Sequence, residues 1–497
     1  MSHNTYLGQK GYSIYKKSLS LKEQVYIRQE LTVKAYIPKS PVQPPAYPIY
    51  RESSNKFYIP RYFGISTFGI PNECRISKGI PINIKFEGKL RENQQKIVEK
   101  FINHIKSCDI NSGGGGLLDL HTGFGKTVLG LNILAQIGLK TLIIVHKGFL
   151  VDQWIERITQ FLPAARVGKI QAQVIDTEDK DIVIGMLQSL SMKEYPDDQF
   201  AEFGLTILDE IHHLSAEVFC RALQKICTIY TLGLSATMNR KDGLSKVFKM
   251  FIGDIIHKEK RDDETKVIVK AIDFKTEDEE FNEMEYDYRG NAKYSTMISK
   301  LCNFNIRSEL IINVIINELK INPNQQVMIL GHNKVLLVYL YKAIEYRKFA
   351  SVGYYIGGMK QVDLKISETK QIIIATYSMA SEGLDIKTLT TLVLATPKTD
   401  IEQAVGRILR VKDNNPLIID IIDQHDIFKK QWAKRRAFYQ KNNYKIMHTD
   451  NYNRGNPNWT EISKKAKDRE KTNTHDILET DNLNELIKGK CMISINI

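Results

Sequence analysis

Between residues 117 and 258, and again between 326 and 422, short apolar runs alternate with longer segments of helical periodicity. The runs at 141–145, 181–185, 205–208 and 230–234, and later at 326–330, 350–355, 371–375, 391–395 and 417–422, are dominated by Leu, Ile, Val and Ala. They are too short for helices and apolar on both faces, which predicts strands covered on both sides. A chain that reaches each new strand through a helix makes those strands parallel. The expectation is an α/β protein with two tandem parallel-sheet domains, at 89–258 and 259–445. The two halves lack close self-similarity, so they are related domains rather than a short-period repeat. A chain of 497 residues has room for them and one more at ~150 residues each.

The stretch Leu117 to Leu129 carries the first chemistry. It reads as a short buried strand, then His121-Thr122-Gly123-Phe124-Gly125-Lys126-Thr127, then an apolar helix. A glycine-bearing loop entering a helix N-terminus presents backbone N–H groups and a positive dipole end to phosphate oxygens. Thr122, Gly123, Phe124 and Gly125 would form that cradle. Lys126 would reach the terminal phosphates, and Thr127 would place its hydroxyl on Mg²⁺. The pattern departs from the full phosphate-loop motif at Leu120, which stands where the first glycine belongs.

A partner site in the same domain follows the run at 205–208. Asp209 and Glu210 come directly after it. Asp209 can hold Mg²⁺, and Glu210 can position the water that attacks a phosphoryl group. His212 and His213 do not suggest a metal site, since neighbouring residues on one element point apart. Ser235, Ala236 and Thr237 close the next strand with small hydroxyl residues. Across the domain boundary, Gln403, Arg407 and Arg410 are spaced to share one helix face, where guanidinium groups can stabilise charge developing in phosphoryl transfer. Thr376, Gly383 and Asp385 supply a hydroxyl, a glycine and a carboxylate near the same edge.

The net charge of +13 suggests a polyanionic partner. Residues 1–88 hold 13 Lys or Arg against 5 Glu, and eight of the 14 prolines. They read as a separate basic domain of mixed or β type. Lys429 to Lys445 hold seven basic and no acidic residues, interleaved with Trp432, Phe438, Tyr439 and Tyr444. Such a segment is either a phosphate-binding and base-stacking surface or a solvated helix. Six cysteines with no C-x-x-C pair argue against a zinc ribbon or disulfide framework and for a reducing compartment. No apolar run approaches ~20 residues, so no membrane span is expected. The segment 446–497 reads as a polar tail with one short helix at 476–488.

Taken together and in order, these motifs resemble the superfamily 2 helicases, over roughly residues 88–425. The resemblance implies two tandem RecA-like domains with ATP bound between them, and ATP and Mg²⁺ as cofactors. It makes Gln94 the adenine reader, and Asp209 to His212 the D-E-x-H motif with His212, Ser235, Ala236 and Thr237 coupling nucleotide state to movement. It puts Gln153, Trp154, Arg240 and Thr376 on nucleic acid, and makes Gln403, Arg407 and Arg410 an arginine-finger set acting in cis. Finer features, such as the 209–219 segment and Leu232 to Thr237, look like the xeroderma-pigmentosum-B and UvsW-like branch, and Leu120 agrees with it. Lys241 stands where that branch has an acidic residue in its R-E-D loop, which puts the loop's DNA-opening role in question.

The segments 50–64 and 416–423 resemble members from large cytoplasmic DNA viruses, including poxviral DNA-dependent ATPases, helicases and transcript-release factors. By that resemblance the expected protein is a monomeric DNA helicase or translocase of viral transcription or of repair. Its partners would be nucleic acid and viral RNA polymerase or transcription factors, and its place the virion and host cytoplasm. An RNA helicase and a polymerase-remodelling translocase with weak unwinding are the alternatives. A nucleotide-gated scaffold is disfavoured by the intact set Lys126, Asp209, Glu210 and Arg407.

Overall fold

The structure is a computed structural model that describes residues 3–36, 42–121, 123–210, 216–235, 243–259, 267–382, 386, 388–409, 416–452 and 457–462. The first α/β unit contains β1 (Gly114–Asp119), β2 (Thr141–Val145), β3 (Val167–Gln171), β4 (Ile182–Met186), β5 (Leu205–Asp209), β6 (Tyr230–Ser235) and β7 (Ile255–Lys258). They form one sheet in the order β3-β4-β2-β5-β6-β1-β7, all parallel, with the antiparallel pair Val174–Ile175 at the β3 edge. β1, β2, β4 and β5 are buried along their whole length, as two-sided helical cover requires. The helices used below are α1 (Glu92–Ser107), α2 (Lys126–Ile137) and α3 (Gly148–Phe161).

The second unit repeats the architecture. β8 (Ile268–Phe274), β9 (Gln326–Gly331), β10 (Val352–Tyr355), β11 (Ile372–Thr376), β12 (Leu389–Leu394), β13 (Leu417–Asp423) and β14 (Lys445–Thr449) lie in the order β10-β11-β9-β12-β13-β8-β14, again parallel. Its named helices are α4 (Asn305–Ile321), α5 (Gln361–Glu368), α6 (Tyr377–Glu382), α7 (Glu402–Val405) and α8 (Asp426–Lys441). β8 and β14 fall outside the expected strand set. β8 begins before the charged interval, and β14 runs into what reads as a polar tail, where Thr460–Glu461 also pairs with it. The second unit therefore ends later than residue 445. The helix expected at 476–488 lies outside the described residues.

The small N-terminal sheet is present, a mixed five-stranded unit built from Thr5–Gly8, Gly11–Tyr15, Arg51–Glu52, Lys56–Ile59 and Glu73–Cys74. It is not a separate body. Tyr12, Ile14, Phe57 and Phe63 share one apolar core with Leu117, Leu142, Phe219, Phe248 and Ile252 of the first α/β unit. The glycine run explains how they come so close. Gly114 to Gly116 lie inside β1, not in a loop, and a Cβ at Gly115 would fall 2.7 Å from both the Tyr62 hydroxyl and the Thr231 carbonyl. Only a strand without side chains admits the helix Arg61–Phe68 there. Arg61, itself buried, then donates to the carbonyls of Thr228 and Ile229.

Two buried arginines tie the second unit together, and neither was singled out from sequence. Arg307 of α4 forks onto Asp423 at 2.6 and 2.8 Å and donates to the Ala395 carbonyl at 2.8 Å. Arg435 of α8 forks onto Asp420 at 2.8 Å through both nitrogens, and Tyr439 donates to the same carboxylate at 2.9 Å. Asp420 and Asp423, three residues apart, sit on opposite faces of β13, one facing each helical layer. Losing one partner of a buried pair strands a charge, which costs ~3–5 kcal/mol. Arg307→Met should therefore lower stability in urea titration by about that amount. The double variant Arg307→Met/Asp423→Leu should recover most of it, and an undiminished midpoint in the single variant would refute the account.

Candidate nucleotide site and nucleic-acid interface

β1 to β7 all point the same way, so their C-terminal ends form one edge, the place where open α/β sheets bind ligands. The pairing register puts Asp119 opposite Ser235, and Leu234 opposite Asp209. The phosphate loop, the Asp-Glu pair and Ser235 therefore emerge side by side from β1, β5 and β6.

The loop turns on Gly123 at φ +83° and Gly125 at φ +93°, left-handed conformations that favour glycine. Leu120 is fully buried, and its N–H donates to the Ser235 carbonyl at 2.8 Å. The position where the full motif has glycine here serves the core, and a side chain fits. Phe124 is also buried, so its contribution to a cradle is its backbone alone. The Phe124 carbonyl accepts from Gln94 Nε2 at 2.8 Å and from Arg91 Nη2. Gln94 is 5% exposed, and its Oε1 accepts from the Arg91 N–H at 3.0 Å. One amide hydrogen and one acceptor site of Gln94 are left after these bonds, the pair that reading an adenine edge would take.

Lys126, at the start of α2, holds Glu210 Oε1 at 2.5 Å, with both side chains largely buried. Glu210 sits at φ +49°, a left-handed conformation that costs a non-glycine residue about 1–2 kcal/mol. Strain of this kind gathers at functional sites. Asp209, one residue earlier, is 5% exposed, and Trp154 Nε1 donates to its Oδ2 at 2.9 Å. Burial pushes the Asp209 carboxyl up to about 6, and the negative Glu210 adds to this. Lys126, the indole N–H and His146 pull the other way. His146, directly after β2, is a site residue that the sequence reading missed, although its place at a strand end is the same signal that marks Asp209.

Trp154 requires a correction. It was expected on nucleic acid, but it is 1% exposed within the apolar core of the first unit. Its indole instead orients the carboxylate expected to hold the metal. Gln153, its neighbour on α3, is half-buried.

In the second unit Thr376 ends β11, its hydroxyl 3.2 Å from that of Ser378. Arg407 Nε donates to the Ala380 carbonyl of α6 at 3.0 Å. Gln403 lies on α7, a helix that closes at Val405 and continues as a turn through Leu409, so among the described residues Gln403 is helical and Arg407 lies in the turn. Thr122, His212, Ala236, Thr237, Arg240, Gly383, Asp385 and Arg410 lie outside the described residues. The two units meet across exposed side chains, with Gln361 of α5 donating to Asp152 of α3 at 3.4 Å and Lys365 lying 3.8 Å from Glu156.

The basic and aromatic segment 429–445 resolves into two faces. Tyr439 is buried, and Trp432, Phe438 and Tyr444 pack against the same core. Those three rings are partly buried and committed to the core, so only part of their surface is left for base stacking.

A family model described as the type III restriction enzyme res subunit matches residues 87–240. A protein of Acanthamoeba polyphaga mimivirus, provisionally named an ATP-dependent RNA helicase, is 37% identical over 450 residues, covering 88% of this chain and 85% of its own length. The chain belongs to the superfamily 2 helicases. A protein of Invertebrate iridescent virus 6, provisionally named a helicase, is 27% identical over 73% of this chain and 85% of its own. An African swine fever virus protein, provisionally named an ATP-dependent RNA helicase, is 26% identical over 73% of this chain and 75% of its own. The helicase is thus an enzyme of the nucleic-acid-dependent ATPase class, with viral relatives. Among the described residues no helix is long and apolar enough to cross a membrane.

Helicases of this kind use Mg²⁺ with the nucleotide, and the residues here suit it. Thr127 offers a hydroxyl and Asp209 a carboxylate, the hard oxygen donors that Mg²⁺ takes. The buried, partly compensated charge of Asp209 is one that a dication would stabilise. Because the indole orients that carboxylate, Trp154→Phe should cost ~10–100-fold in Mg²⁺ affinity or turnover. Nucleic-acid affinity should not change in that variant. The opposite pattern, normal turnover with weakened nucleic-acid binding, would return Trp154 to the nucleic-acid surface.

Proposed function

We propose that this helicase is an ATP-driven translocase acting on DNA, working in viral transcription or in repair within the host cytoplasm. The observation that carries the reading is the Lys126–Glu210 pair. A lysine whose task is to bind phosphate is held by the carboxylate whose task is to orient water. Phosphate oxygens arriving on the loop compete for Lys126, and Glu210 is released to position the attacking water. Substrate binding thereby arms the site. Mg²⁺, held by Thr127 and Asp209, would neutralise charge on the phosphates.

The weak contacts between the units support movement. Exposed ion pairs contribute only ~0–1 kcal/mol, so the pairing of Lys365 with Glu156 offers little resistance to domain motion. Closure would bring Arg407 from the Ala380 carbonyl toward the transferring phosphoryl group, and phosphate release would reopen the cleft. Movement along nucleic acid through its backbone implies little sequence preference. The choice of DNA rests on the resemblance to the repair and transcription branch. Action on RNA is the second reading, favoured by the names of the mimivirus and African swine fever virus relatives.

ATPase stimulation by DNA and RNA with matched 3′ and 5′ overhangs separates the two. Stronger stimulation by DNA is expected, and stimulation confined to RNA would overturn the DNA reading. Lys126→Ala should abolish turnover while DNA binding persists, and retained turnover would sink the site. Arg407→Ala should lower kcat by ~10³-fold or more if it serves as an arginine finger, with nucleotide affinity changed far less.

A further inference from the structure

The helix α8 was ambiguous in sequence, and its inward face is now accounted for. Its outward face is not. Lys429, Lys430, Lys434, Arg436 and Lys441 are all exposed, and none forms an ion pair among the described residues. The other two cations of the segment are used: Arg435 is buried on Asp420, and Lys445 pairs with Glu461 at 3.2 Å. Lys430, Lys434 and Lys441 fall at i, i+4 and i+11, one ridge of the helix, while Lys429 and Arg436 lie on the ridge beside it. The exposed residues between them are Ala433 and Ala437, which keep the surface low. From Lys430 to Lys441 the stripe spans about 16 Å at ~1.5 Å per residue, which matches roughly five base pairs of phosphates.

We propose that this stripe is a track for the phosphate backbone of duplex DNA outside the ATP cleft. The proposal rests on the reading of the helicase as a DNA translocase. Charge complementarity carries it, and the character of the face selects the partner. Protein hot spots are built on aromatic and arginine anchors in desolvated pockets, but every aromatic ring of α8 is turned inward or packed against the core. Single-strand platforms need exposed rings for base stacking, which the same packing limits. What remains is a low, rigid, cationic ridge, suited to a regular array of phosphates and blind to sequence.

The stripe is also mechanically joined to the arginine region. Arg435, on the inner side of the same helix, donates to the Lys398 carbonyl at 3.0 Å, and Lys398 lies in the segment between β12 and α7. Duplex held on α8 is therefore carried with the element that bears Gln403 and Arg407.

The test is the full chain with Lys430→Gln, Lys434→Gln, Arg436→Gln and Lys441→Gln together, exposed positions where glutamine keeps helix propensity. Thermal unfolding and ATPase without nucleic acid should be unchanged. Binding to blunt duplex DNA should lose about tenfold or more at moderate salt. The slope of log affinity against log salt should become shallower by ~3.6, since each of the four lost phosphate contacts contributes ~0.9. An unchanged slope on duplex DNA overturns the proposal. So does a loss that appears only with single-stranded DNA, with duplex RNA or with poly-glutamate, the last indicating an acidic protein partner. If nucleic acid of no kind stimulates the unsubstituted enzyme, the translocase reading fails, while the salt slope still decides the stripe.

Discussion

A negative charge buried at the end of a strand is the constraint on which the first unit turns. Asp209 is nearly inaccessible to water, and a carboxylate in that position is costly unless donors and cations surround it. Trp154 supplies a donor from α3, and Lys126 supplies a cation from the phosphate loop. The loop, the Asp-Glu strand and the α3 helix are thus held to one another by a single electrostatic need. The same need gives the site its responsiveness. On the proposed mechanism an incoming phosphate would compete with Glu210 for Lys126, giving the network two arrangements between which the nucleotide would select.

Bonding within the units and bonding between them differ in kind. Inside the second unit, Arg307 and Arg435 clamp both helical layers to β13 through bidentate, fully buried pairs. Such pairs fix geometry even where their net contribution to stability is small. Between the units, the contacts are long, exposed and polar. Rigid bodies joined by a loose seam are what a stepping enzyme needs, because work is transmitted only if each body moves as a whole while the seam between them opens at little cost.

Much of this was legible in the residues. The alternation of buried strands and helices foretold both sheets, since apolar runs on both faces leave few alternatives to a covered parallel sheet. Lys126, Asp209 and Glu210 were readable because phosphate chemistry demands those groups at strand ends. What escaped was context that no local pattern carries. Trp154 reads the same whether it faces solvent or core, and only the packing of α3 against β5 decides. β8 hid beside an acidic run, and β14 hid in a polar tail, because both mix buried with partly exposed positions and so lack a continuous apolar run. Arg307 and Arg435 looked like surface charge, since their aspartate partners lie 116 and 15 residues away. The segment was half correctly observed: apart from Arg435 the basic residues of α8 face outward, but its rings pack against the core.

The side-chain-free stretch of β1 has one more consequence. By letting the helix Arg61–Phe68 lie directly on the strand that feeds the phosphate loop, Gly115 makes the N-terminal sheet an outrigger of the nucleotide-site unit, sharing its core. On the proposed mechanism, whatever that sheet touches would move with the loop at every turnover, as on a lever arm whose stroke is set by the cleft and whose length is set by the fold.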